Sequence, residues 1–233
     1  MKRSLSFILV LCLLISMIFT GCSSDTNQQG GNASDKGVVL KLSTATAESS
    51  SRAVAAKKFG EIVSEKTNGK VKVEVYPNDQ LSGGNQGKGI EMLMAGSVDM
   101  GFWSNIIYSI MDERFSAISL PFLIPDSETV DKVLDGEAGE AINKLLLEKN
   151  IIGLGFGEGG FRQITNNKLP IHTVEDMKGL KIRVPGMKMY ISLYKALGSD
   201  PITMNFGEVF TALQQKTIDG QENPADVIES AKL

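Results

Sequence analysis

The sequence predicts an α/β fold, on three observations. Lys70-Val71-Lys72-Val73-Glu74-Val75-Tyr76-Pro77 alternates polar and apolar side chains, as a half-buried strand does. Short apolar or β-branched runs recur along the chain with helical-period segments between them, which implies a largely parallel sheet joined by crossover helices. No self-similarity at the period of a solenoid is visible.

Taken in order, residues 1–21 read as a lipoprotein signal peptide. Lys2 and Arg3 form a charged start, and Phe7 to Phe19 is an apolar core too short for a comfortable membrane span. The core ends in Ile18-Phe19-Thr20-Gly21-Cys22, which resembles a bacterial lipobox, so Cys22 is the expected lipidation point and mature N-terminus. Loss of the leader also removes Cys12, and with a single cysteine left no intramolecular disulfide is possible. Residues 22–37 carry almost no apolar side chains and are expected to form a flexible tether.

The folded body begins at a strand, Val38 to Leu42, followed by a helix from Ser49 to Lys66 with Ala53, Ala56, Phe59, Ile62 and Val63 inward and Asn68-Gly69 ending it. After the alternating strand come a helix from Gly87 to Ala95 and a strand from Val98 to Trp103. Ser127 to Lys149 is helical with a break near Asp135-Gly136, and Ile151 to Leu154 reads as a strand. A glycine-rich stretch leads to another strand, Phe161 to Asn166. Thr173-Val174-Glu175-Asp176 is a capping box, Leu180 to Val184 a strand, Lys188 to Leu197 a helix ending at Gly198, and Phe210 to Gln215 a helix. Asp219 to Pro224 crowds polar groups before a last amphipathic helix, Ala225 to Leu233. That helix has no closing signal, so the chain is expected to be cut short at its C-terminus.

Composition removes several functions. The formal charge is −3, and loss of the two leader cations takes it to −5, which gives no support for a nucleic-acid partner. Gly155, Gly157 and Gly160 satisfy GxGxxG, but a strand follows them, not the helix N-terminus a pyrophosphate needs. Ser82 to Gly89 imitates a P-loop with serine at its first glycine and Gly89 in place of the metal-binding hydroxyl. The single histidine, His172, would have to serve any metal site or Ser-His-Asp triad by itself, and no GxSxG or HExxH is present. No cofactor, no metal and no enzymatic activity are expected.

Two polar interruptions remain. Arg183 breaks the apolar strand Lys181-Ile182-Arg183-Val184-Pro185, and Asp219-Gly220-Gln221-Glu222-Asn223-Pro224 is polar throughout; for Arg183 alone, a surface salt bridge is an equally good reading. Together with GFRQITNN, DMKGLKIRVP and ALGSDPITMNFGEVFTALQQ, in this order and spacing, IDGQENP resembles the solute-binding subunit of tripartite ATP-independent periplasmic (TRAP) transporters, the DctP-type receptors. The resemblance covers Leu40 to Leu233 and is most specific from Phe161 to Pro224.

That resemblance implies a two-lobed, periplasmic-binding-protein-like fold of type II, with a first α/β lobe at 38–159 and an incomplete second at 160–233, closing on one organic acid. It further implies that Arg183 grips the ligand carboxylate, Arg162 adds a cationic contact, and Asn223 donates an amide to the same region. Phe206 would form an aromatic wall, and Trp103 and Ser104 a ligand-facing strand end. Ser104 and Ala45 stand where the sialic-acid branch carries a carboxylate and an amide, which favours a simpler mono- or dicarboxylate, such as a C4-dicarboxylate. The glycines then deliver the chain, and Arg162, from one lobe to the other. The implied partners are the organic acid, the small and large membrane subunits of the transporter, and the membrane through the lipid, with the body extracytoplasmic on the outer face of the cell membrane or periplasmic. The alternatives are a receptor presenting its ligand to a sensor system, and a lipid-anchored hydrolase, for which no catalytic constellation is found.

Overall fold

The computed structural model describes residues 37–233; the leader, Cys22 and the tether before Gly37 lie outside them. The described chain starts with strand β1 (Val38–Thr44), helix α1 (Ser51–Lys66), β2 (Val71–Tyr76), α2 (Gln86–Met94), β3 (Met100–Phe102) and a short α3 (Asn105–Tyr108). β1 is the middle of a parallel three-stranded sheet, β2-β1-β3, with Leu42 opposite Val75 on one side and Met100 on the other.

Local chemistry accounts for the helix starts. Ser50 accepts the Ala53 N–H at 3.2 Å ahead of α1, and Asn85 accepts the Lys88 N–H at 3.0 Å ahead of α2, each satisfying a donor the helix cannot. α1 seats on its sheet through small residues, Ala53, Ala56 and Gly60, all buried. A Cβ on Gly60 would lie 3.2 Å from Val73 Cβ. This face rotates Phe59 and Ile62 into solvent, contrary to the inward placement their spacing suggested.

Helices α4 (Ser127–Leu134) and α5 (Glu137–Glu148) follow, broken at Asp135-Gly136 as expected. The expected strand from Ile151 to Leu154 does not form. It has no paired neighbour among the described residues; Ile151 packs against Phe115, Ile142 and Leu146, while Ile152 and Leu154 are exposed.

The second sheet holds β4 (Arg162–Asn166), β5 (Lys181–Val184), β6 (Asp200–Thr203) and β7 (Gly220–Pro224), with helix α6 (Lys188–Ala196) between β5 and β6, α7 (Val209–Gln214) before β7, and α8 (Ala225–Ala231) after it. Its order is β4-β7-β5-β6, with only β4 antiparallel. The Thr173–Asp176 capping box is present, on a 3-10 turn ahead of β5. The last helix closes with Lys232 in the left-handed region, although the sequence offers no usual capping residue there.

The interior strand β7 is the surprise: its sequence is polar, yet all five residues are buried. Its side chains satisfy one another and β4. Gln221 Nε2 donates to Thr165 Oγ1 at 2.9 Å, Asn223 Nδ2 donates to Gln221 Oε1 at 2.6 Å, and Glu222 takes Arg162. Only glycine fits at position 220, where a Cβ would meet the Thr165 carbonyl at 2.2 Å. One apolar cluster, including Ile90, Ile106 and Ile107 beside Ile182, Val184 and Tyr190, backs both sheets.

Candidate functional site

A cavity of about 660 Å³ is lined by residues of the second sheet and by residues that follow β1 and β3, such as Ala45, Thr46 and Ser104; its volume is within the range of small-ligand sites, ~300–1,000 Å³. Arg183, Arg162, Asn223, Phe206 and Ser104 all line it, together with the glycine loop from Gly157 to Gly160. Five of the six expected ligand residues are therefore brought together.

Arg183 comes from the third position of β5, beside β7, and is 2 % exposed. Its Nη2 and Nε donate to the Met204 carbonyl at 2.8 and 3.3 Å, and its guanidinium lies 5.7 Å from the Phe206 ring centroid. No acidic side chain forms an ion pair with it among the described residues. Burial pulls its pKa down to about 10; the nearby Arg162 charge adds to this, while Glu222 and Glu208 oppose it. The group stays a cation at neutral pH, but one buried without its own counter-ion, which is costly unless an anion arrives.

Arg162, the first residue of β4, is differently placed. Its Nε and Nη2 both bond the Glu222 carboxylate, and Nη2 also reaches the Glu222 carbonyl at 2.9 Å and Asn223 Oδ1 at 3.1 Å. Burial works against its charge, but the bonds and attraction from Glu222 outweigh this and raise its pKa. Its guanidinium also lies 5.5 Å from the Tyr190 ring centroid. Arg162 therefore has a resident carboxylate where Arg183 has none. Asn223 is likewise engaged, accepting from Arg162 and donating to Gln221.

Trp103 is the exception. It is not on the cavity wall but set behind it, 6 % exposed, with its indole N–H bonded to Asp79 at 2.7 Å. Its ring fills the space over Gly101, where an added Cβ would fall 1.8 Å from Cζ3. The ring supports the wall, and Ser104, next in sequence, reaches the cavity in its place.

Several lining residues carried no sequence signal. Tyr190 and Tyr194 lie on α6, where aromatics at helical spacing read as ordinary core; burial raises both phenols, so they remain protonated. Arg52, in the first turn of α1, resembles any surface cation on a helix. Glu222 was visible only as part of a polar run. Among the described residues no group of His, Cys, Asp and Glu has a metal-holding arrangement.

The profile of the family described as bacterial extracellular solute-binding protein, family 7 (DctP) matches residues 42–233. The chain is 35 % identical over 194 residues to the 2,3-diketo-L-gulonate-binding periplasmic protein YiaO of Escherichia coli (strain K12), covering 83 % of this chain and 58 % of that protein. It is 36 % identical over 197 residues to the C4-dicarboxylate-binding periplasmic protein DctP of Rhodobacter capsulatus, covering 84 % and 58 %. In structure it is similar to the sugar acid binding protein DctPAm from Advenella mimigardefordensis in complex with galactonate, with a TM-score of 0.81 and 36 % identity, covering 84 % of this chain and 63 % of that one. The chain thus spans less than two thirds of the length of these relatives. With the arginine strand, the polar β7 and the cavity all inside the matched region, the chain belongs to the DctP family of bacterial extracellular solute-binding proteins.

Proposed function

We propose that this protein is the extracytoplasmic receptor of a TRAP transporter: it captures an organic acid through Arg183 and delivers it to the membrane subunits. The observation that carries this reading is the buried Arg183 guanidinium, which lines the cavity and has no acidic partner of its own among the described residues. A planar carboxylate matches a guanidinium fork with charge-assisted bonds roughly twice as strong as neutral ones. Arg162 and Asn223 then act mainly on the same region as a braced support. We infer two lobes, 38–159 and 160–233, from the separation of the sheets across that boundary. Ligand contacts from both lobes would shift an open–closed equilibrium, and closure would report a loaded receptor. Anchoring through Cys22 belongs to the same reading and rests on the sequence around it; Cys22→Ser should move the protein from the membrane fraction to the soluble one.

Calorimetric titration of wild type, Arg183→Lys and Arg183→Ala against a panel of organic acids tests the reading. Truncating one member of a buried charge pair costs about 2–5 kcal/mol, or ~30-fold to several-thousand-fold in Kd. Lysine should fail nearly as badly as alanine, because an ammonium offers a point charge in place of a fork. Arg183→Lys binding within about threefold of wild type would sink the assignment, since exposed pairs are worth under about 1 kcal/mol.

A further inference from the structure

We propose that Asp226 is a closure clasp: its carboxylate reaches from the second-sheet side of the molecule to the start of α1 and holds the two lobes together around a ligand it does not touch. The proposal rests on the two-lobed receptor reading above and adds a positioning residue to it. Asp226 is the second residue of α8, just beyond the polar strand β7. It lies off the cavity wall, but its neighbours Pro224 and Val227 are on that wall, as is Arg52 on the facing side.

Its Oδ1 accepts the Ser51 N–H at 3.1 Å and its Oδ2 accepts the Ser51 hydroxyl at 2.9 Å, so both oxygens serve one residue of the first lobe. Ser51 opens α1, and its N–H is one of the donors that a helix start cannot satisfy internally. The local cap does not serve it, because the Ser50 hydroxyl accepts from Ala53 N. Nor does the first turn of α1 carry an acidic side chain of its own. The negative charge that a helix N-terminus favours therefore arrives from the other lobe. The next residue, Arg52, makes no hydrogen bond through its guanidinium among the described residues; burial disfavours its cation, and Asp226 nearby favours it.

A second polar contact also crosses from one lobe to the other, Lys188 Nζ to Glu113 Oε1 at 2.6 Å. Its side chains are 87 % and 74 % exposed, so water and salt screen the pair and it holds little. Asp226 is partly buried and makes two charge-assisted bonds. Such bonds weaken steeply with distance and angle, so they belong to the arrangement in which the lobes are this close. A contact made in only one of two states shifts the equilibrium toward that state. Where the closed state is the one that holds ligand, the apparent affinity rises with it.

Calorimetry and amide exchange test the clasp, with succinate, D-galactonate and D-erythronate as probes and the tightest binder of the three carried to the variants. Asp226→Ala should weaken that acid about 5- to 30-fold, as loss of charge-assisted bonds at a partly exposed site does. Ser51→Ala, which leaves the carboxylate in place, should weaken it about two- to fivefold and add nothing in the Asp226→Ala background. Exchange of the Ser51 amide, followed by mass spectrometry on peptides from the start of α1, should slow about tenfold or more when the acid binds wild type, and should not in Asp226→Ala. A cap that only stabilises α1 would protect that amide equally with and without ligand, lower the unliganded melt and leave affinity within about threefold. That result overturns the proposal, as does a loss of affinity in Asp226→Ala that Ser51→Ala does not share. Should Asp226→Ala fold poorly, as judged by its unliganded melt, exchange in wild type decides: an amide no slower with ligand than without overturns the clasp. Each of these results leaves the organic-acid receptor intact, whereas failure of all three acids to bind wild type removes both readings.

Discussion

Replacing Glu222 with glutamine isolates the resident ion pair from everything around it. Glutamine keeps the volume and the β7 backbone hydrogen bonds, but removes the charge and turns one of the two oxygens that accept from Arg162 into a donor. Glu222 is 1 % exposed and holds Arg162 through two nitrogens, and its field also offsets the burial of Arg183. The substitution leaves two neighbouring guanidiniums without their shared counter-charge. Breaking a buried pair by removing one member costs about 3–5 kcal/mol. The lower end applies, about 3 kcal/mol, because glutamine still offers one acceptor and the Arg162 side chain keeps 24 % of its exposure. Against a total stability of ~5–15 kcal/mol, and at ~2–4 °C per kcal/mol for a chain of this size, the melting temperature should drop by roughly 6–12 °C. Differential scanning calorimetry of the unliganded proteins measures it. A bound carboxylate should recover more of the loss in the variant than it adds to wild type, since it supplies the missing negative charge. A variant melting within about 2 °C of wild type would show that Glu222 does not neutralise the site, and the contrast drawn between Arg162 and Arg183 would fall with it.

Trp103→Phe should keep the ring over Gly101 but leave Asp79 without its indole partner, costing about 1–3 kcal/mol in a chemical denaturation midpoint. Ligand affinity should change less than about threefold; a larger loss would return Trp103 to the cavity wall. Asp176 accepts the N–H groups of His172 and Thr173, and these bonds hold it below its ordinary value of 3.8. A carboxyl whose folded pKa is depressed contributes stability that is complete above the unfolded value and is lost as pH falls through the folded one. Melting temperature followed from about pH 5 down to about pH 2 should therefore fall less steeply in Asp176→Asn than in wild type, and identical slopes would refute the link.

What could be read from the sequence was whatever leaves a periodic or punctuating trace. β2 alternates, so it was found; α4 and α5 are separated by Asp135-Gly136, so the break was found; Thr173 and Asp176 have the spacing of a capping box. β7 leaves no such trace. Its burial is stabilised by polar groups bonding to each other, so the most interior strand of the second sheet has the composition of a loop. Ile151 to Leu154 shows the reverse error: apolar residues suggested a strand, but a strand also needs a neighbour to bond. Arg183 stood out because an arginine within an apolar strand breaks a pattern. Arg52 did not, because at the start of a helix a cation breaks none; only the absence of a bonded partner distinguishes it.

The polar β7 also bears on how a protein of this family could acquire new ligands over generations. Glu222 and Asn223 line the cavity and, with Gln221 beside them, also bond within the second sheet, so a mutation there is tested first as a folding defect and only then as a change of ligand. Ser104 and Arg52 make no side-chain hydrogen bond among the described residues, and changing them disturbs little besides the occupant. Selection, or a directed-evolution library, would therefore find its viable novelty at positions 52 and 104, with Arg183 and the polar strand passed down unaltered beneath them.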